Sequence, residues 1–142
     1  MIKEIWNTLT PSGKRSFSLS VMGFTLYALS GTAMMYIVLK VLKVIISGGG
    51  NLLWYWACLA ACLLIKGSSN ILADVRKHYA GFDIVYQVRK NIIYRLKEFS
   101  LGFYTNERLG EVSTIIHKDV DKMEMVVGHV WTRMLADFIV SV

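Results

Sequence analysis

FSLSVMGFTLYALSGTAMMYIVL, running from Phe17 to Leu39, carries no charged side chain in 23 residues. As a helix it rises about 1.5 Å per residue, roughly 35 Å in all, which is enough to cross the ~30 Å hydrocarbon of a bilayer. A helix that meets water on one face needs only an apolar stripe, so a run apolar all round points to lipid. Composition agrees. The 142 residues are 54% hydrophobic and 18% charged, against about 45–50% and 25% in an ordinary soluble domain, and mean hydropathy is +0.45.

Upstream of this run, Ile2, Ile5, Trp6 and Leu9 recur at helical spacing before Pro11, Ser12 and Gly13. Residues 1–16 are therefore expected as a short interfacial helix, with Trp6 at headgroup level. The apolar run after it is too long for a signal peptide and has no small-residue cleavage site. The first transmembrane helix is expected over residues 17–46, with Lys40 and Lys43 snorkelling at its end, and residues 47–51 form a short outer loop. Residues 52–73 return through the membrane, opening on Trp54, Tyr55 and Trp56. The one charge in this second span is Lys66. It either faces a bundle interior or water-filled cavity, where it would attract an anionic or polar substrate, or snorkels to the interface. Gly67, Ser68 and Ser69 beside it permit close helix packing as an alternative.

Residues 74–101 change character. Val75, Tyr79, Phe82, Val85, Tyr86, Ile92, Ile93, Leu96 and Phe99 keep near-helical period while arginines and lysines intervene, the pattern of an amphipathic helix outside the membrane. The stretch SLGFYTNERLG then breaks the periodicity and predicts a reversal. From Glu111 the helical pattern resumes and grows more apolar, ending in LADFIVSV without a basic stop, so residues 110–142 are expected as a cytoplasmic part and then the start of a third span interrupted at Val142. Lys3, Lys14 and Arg15 precede the first span, and nine Lys or Arg lie between Asp74 and Glu124. Both regions are expected in the cytoplasm, giving a multi-pass cell-membrane protein with a cytoplasmic N-terminus.

Other chemistries find little support. The formal charge of +6 is spread around apolar runs instead of forming one stripe, which argues against nucleic acid. No GxxxxGK[ST] loop occurs, and PSGKRS at Pro11 to Ser16 lacks the first glycine and a preceding strand, so no ATPase site is expected in this chain. His78, His117 and His129 are too scattered for a metal site, Cys58 and Cys62 sit in an apolar run, and no Ser, His and acid arrangement suggests catalysis. No cofactor or metal is expected here.

Two spans with a tiny outer loop, a helix overshooting into the cytoplasm and a reversal back to a third span resemble the membrane domain of ATP-binding-cassette exporters. The most specific part is VRKNIIYRLKEFSLGFYTNERLGEVSTIIHKDVDKME, Val88 to Glu124. In the family pattern an arginine-bearing amphipathic helix leads to an aromatic pair, a short polar stretch, a glycine and an aspartate about nine residues later. Arg89, Phe103 with Tyr104, Gly110 and Asp119 fill those places; Ser100 stands where the family often has proline. The resemblance implies an all-α fold, part of a six-helix exporter domain. It also implies a coupling helix within residues 102–109 that docks on a nucleotide-binding domain through Phe103, Tyr104, Thr105, Asn106, Glu107 and Arg108, with Gly110 next in the chain. Arg89 and Asp119 would hold the cytoplasmic helices in register. ATP and Mg2+ would be bound by the associated nucleotide-binding domains, and a second transporter half would complete a homo- or heterodimer. Phe103 and Tyr104 alternatively cap the hairpin's own core. A different class, a two-span signalling receptor with a cytoplasmic helical relay, shares the spans but should keep its relay amphipathic after Gly110, whereas Met134 to Val142 carries only Asp137 as a charge.

Overall fold

The computed structural model describes residues 2–48 and 50–141, so Gly49 of the expected outer loop and Val142 lie outside the described residues. The chain is all-helical. Helix α1 (Ile2–Thr8) leads to α2 (Pro11–Ser47), and after the loop α3 (Leu52–Leu96) returns antiparallel to it. A turn containing the 3-10 segment Leu101–Phe103 reverses the chain. One helical rod then runs back through α4 (Asn106–Thr114), α5 (Val120–Glu124) and α6 (Thr132–Ser141), joined by π-helical segments Ile115–Asp119 and Met125–Trp131. Helices α2 and α3 are both long and apolar enough to cross a membrane.

The break expected around Pro11 to Gly13 falls earlier, and α2 begins at Pro11 instead of Phe17. The reason is local. Proline has no N–H to lose at the first helical position, and the Thr10 hydroxyl accepts the Gly13 N–H at 3.0 Å, capping the helix. At the other end Gly48, with φ of 68°, adopts the left-handed conformation that closes a helix. Helix α3 passes without interruption from the apolar span into the amphipathic stretch; its 45 residues measure about 68 Å at 1.5 Å each.

Two kinds of packing hold these elements. Along its face toward α3, α2 presents small residues: Gly13, Ser16, Ser20 and Gly23, spaced three and four apart, with Ser30 farther along, all buried. Opposite them stand Ser69 and Ala73 of α3, and the Ser20 hydroxyl donates to the Ala73 carbonyl at 2.9 Å. Hydrophobic exclusion from water cannot drive association within lipid, so close backbone approach and van der Waals contact must do so. Phe24, Ala73 and Ala136 bring α6 onto this seam. Beyond Asp74, by contrast, lies a conventional core of Leu9, Phe17, Ala80, Ile84, Val85, Val120 and Val127. Full burial of Ile84 or Val127 contributes roughly 1.5–3 kcal/mol each.

The π-helical segment Met125–Trp131 has a packing reason. Val127 and Thr132 are both fully buried although five residues apart. In an α-helix that separation turns the second side chain about 140° off the face, whereas the wider π turn narrows that angle and lets both be buried.

Candidate functional site

The expected coupling region lies at the tip, where α3 ends and the return rod begins. It is not one short helix. The 3-10 segment Leu101–Phe103 comes first, and α4 starts at Asn106 under a Thr105 cap whose hydroxyl accepts the Arg108 N–H at 3.4 Å. Gly110 falls inside α4, with no other atom near the position a Cβ would take. Its helix penalty of about 1 kcal/mol is smaller than what the cap and the neighbouring residues contribute, so the pattern resumes before Glu111.

The tip is an aromatic and cationic cluster. Phe99 and Phe103 stack with centroids 4.4 Å apart, Tyr104 meets Phe103 edge-on at 5.6 Å, and the Arg108 guanidinium stands 5.0 Å from the Phe103 ring. The Tyr104 hydroxyl donates to the Leu96 carbonyl at the end of α3, which also accepts the Phe99 N–H at 3.1 Å. Phe103 and Tyr104 therefore brace the turn and take no part in the buried hairpin core. Thr105, Asn106, Glu107 and Arg108 are exposed.

Arg89 ties α3 to the return rod: its Nε donates to the Ile116 carbonyl at 3.1 Å, and its Nη2 to the Asp121 carboxylate at 2.7 Å. Asp119 does not share this contact. It faces away and pairs with Lys122 one turn along its own rod at 2.8 Å, a cation that holds its carboxyl below the ordinary range. The π-helical segment Ile115–Asp119 accounts for the difference, since it rotates the downstream turn of the rod and brings Asp121 instead of Asp119 toward α3.

Lys66 is half-buried and lies across the seam between the two spans. Its Nζ stands 4.9 Å above the Tyr27 ring, beside Gly31, where a Cβ would sit 3.5 Å from the ammonium. Of its polar neighbours only Ser69 packs against α2; Gly67 faces open space, and the Ser68 hydroxyl donates to Leu64 and Ile65 carbonyls of its own helix.

A second charged group occurs where α3 crosses the return rod. Lys77 pairs with Asp74 at 2.5 Å, and this hydrogen bond is the main reason the Asp74 carboxyl sits below its ordinary range. His78 Nδ1 lies 3.4 Å from Glu124 and the ring meets His129 edge-on at 5.0 Å. Partial desolvation against α3 lowers the His129 pKa, with Lys77 and His78 adding to the effect.

Comparison of the chain with family models, curated proteins and solved structures returns no match. Three contacts were not evident from sequence. Asp83 binds Thr10 across the α1–α2 junction. Gly81 and Gly128 let the return rod approach α3 backbone to backbone. The small-residue face of α2 is the third, and its three-and-four spacing of Gly and Ser was a readable signal.

Proposed function

We propose that this chain is part of the membrane domain of an ATP-binding-cassette exporter, moving substrate across the cell membrane by alternating access. The observation that supports it best is α3, whose unbroken 45 residues carry it to more than twice the thickness of a bilayer's hydrocarbon core and lead to the Phe99, Phe103, Tyr104 and Arg108 cluster. A rigid rod of that length turns a small movement at its tip into a rotation of the spans. In this reading the tip lies in the cytoplasm and docks on a nucleotide-binding domain, on the same polypeptide or a separate subunit, which binds ATP and Mg2+. The N-terminus is cytoplasmic, the chain is part of a six-helix exporter domain, and a second transporter half completes a homo- or heterodimer. Lys66, at the seam, contributes a cation to the substrate cavity.

The test uses the full-length transporter in proteoliposomes. Phe103→Ala and Arg108→Ala should lower substrate-stimulated ATPase about tenfold, equivalent to ~1.4 kcal/mol of coupling, while leaving basal hydrolysis intact. Lys66→Met should remove stimulation by anionic substrates only. A full-length protein that neither binds nor hydrolyses ATP, alone or with a co-purifying subunit, would replace this reading with the two-span receptor.

A further inference from the structure

Two adjoining grooves open on one face of α3 and share Arg76 and Tyr79. The first is largely apolar, lined by Ile71 and Leu72 at the end of the span and by Val75 just beyond it. The second lies farther toward the tip and reaches Asp83 of α3 opposite Ser12 and Gly13 at the start of α2. Their volumes of about 590 and 450 Å³ fall within the roughly 300–1,000 Å³ of small-ligand sites.

Arg76 is half-buried between them and forms no ion pair or hydrogen bond with any described residue. A guanidinium so placed matches a phosphate, which it binds through two parallel N–H donors. Asp83 holds Thr10 through one contact on each oxygen, at 2.9 Å both. A carboxylate has about four acceptor positions, so it retains capacity for a further donor. The exposed Tyr79 ring offers its face to a cation.

We propose that this face binds a zwitterionic aminophospholipid of the surrounding bilayer. The order of groups along α3 is the order within such a lipid: hydrocarbon against Ile71, Leu72 and Val75, phosphate at Arg76, and ammonium between Tyr79 and Asp83. An anionic glycerol headgroup would place no cation at Asp83. A trimethylated amine would offer Asp83 no N–H. The inference needs only that α2 and α3 lie in a membrane and does not depend on the exporter reading.

Native mass spectrometry of the full-length protein in detergent tests it, titrating phosphatidylethanolamine, phosphatidylcholine and phosphatidylglycerol of matched chains without nucleotide or transport substrate. Phosphatidylethanolamine should bind about tenfold more tightly than either of the others, a difference of ~1.4 kcal/mol. Arg76→Gln should weaken it by a similar factor, and Arg76→Lys, which keeps the charge and loses the paired donors, by less. Equal binding of the three lipids overturns the proposal. So does wild-type affinity in Arg76→Lys and Arg76→Gln, with circular dichroism showing that each variant keeps its helical content.

Discussion

Asp83 on α3 holds Thr10 with both carboxylate oxygens: Oδ2 accepts the backbone N–H and Oδ1 accepts the hydroxyl proton, each at 2.9 Å. Thr10 in turn accepts the Gly13 N–H. One chain of hydrogen bonds thus links the middle of the long helix to the cap that starts α2, and it sets where α1 ends. Asp83→Ala removes two charge-assisted bonds at a half-buried site and should destabilise the protein by about 2–3 kcal/mol. Thr10→Ala should remove about 1–2 kcal/mol as a lost cap. Thermal unfolding in detergent should show the double variant less destabilised than the sum of the two; strict additivity would mean the two residues are not coupled.

The glycines divide into two groups with opposite expected effects. At Gly128 a Cβ would lie 3.1 Å from the Lys77 carbonyl oxygen, and at Gly81 it would lie 2.7 Å from Glu124 Cγ. Gly128→Val should push the rod off α3 and cost about 2 kcal/mol or more as an overpacking defect. Gly110 sits in a helix with nothing near its Cβ position. Gly110→Ala should therefore stabilise by about 0.5–1 kcal/mol. Denaturation of the two variants side by side checks the pair, and a destabilised Gly110→Ala would count against the open surroundings of that position.

Arg89 and the two nearby aspartates test which residue sets the register of the hairpin. Arg89→Ala should cost about 1–2 kcal/mol, because the Ile116 carbonyl and Asp121 both lose a donor. Arg89→Lys should recover only part of this, since an ammonium cannot reproduce the two-pronged contact. Asp119→Ala should leave stability unchanged. Double-mutant cycles should find coupling between Arg89 and Asp121 and none between Arg89 and Asp119.

The crossing at His129 should weaken in mild acid. Its pKa is lowered in the folded protein, so the unfolded chain binds the proton more readily. The contribution to stability is complete above about pH 6.5, the ordinary imidazole value, and is lost as pH falls below it. The groups facing the ring are Lys77, His78 and Asp74 on α3 and Glu124 on the rod itself. Because the ring is largely exposed, the effect is small and screened by salt. The hydrogen-exchange protection factors of residues 125–131, which divide out the base-catalysed intrinsic rate, should fall as pH drops from about 7 to about 5.5, on either side of the ordinary imidazole value, and His129→Gln should flatten that dependence.

The sequence by itself determined that the chain is helical, that Phe17 to Leu39 and the run after Leu52 are apolar enough to cross a bilayer, and that the chain reverses near Gly102. Each of these comes from the local order of residues: charge-free length, period, and clustered turn formers. The start of α2 at Pro11 was also within reach, because Thr10 and Pro11 form a cap and first-turn pair that the Gly13 signal obscured. Only the tertiary structure decided that Asp121 instead of Asp119 meets Arg89, that Gly81 and Gly128 stand against each other's helices, and that Asp83 reaches Thr10. Those facts depend on how two helices are rotated about their axes. The π-helical segments shift that rotation, Ile115–Asp119 just before Asp121 and Met125–Trp131 where Val127 and Thr132 are both buried.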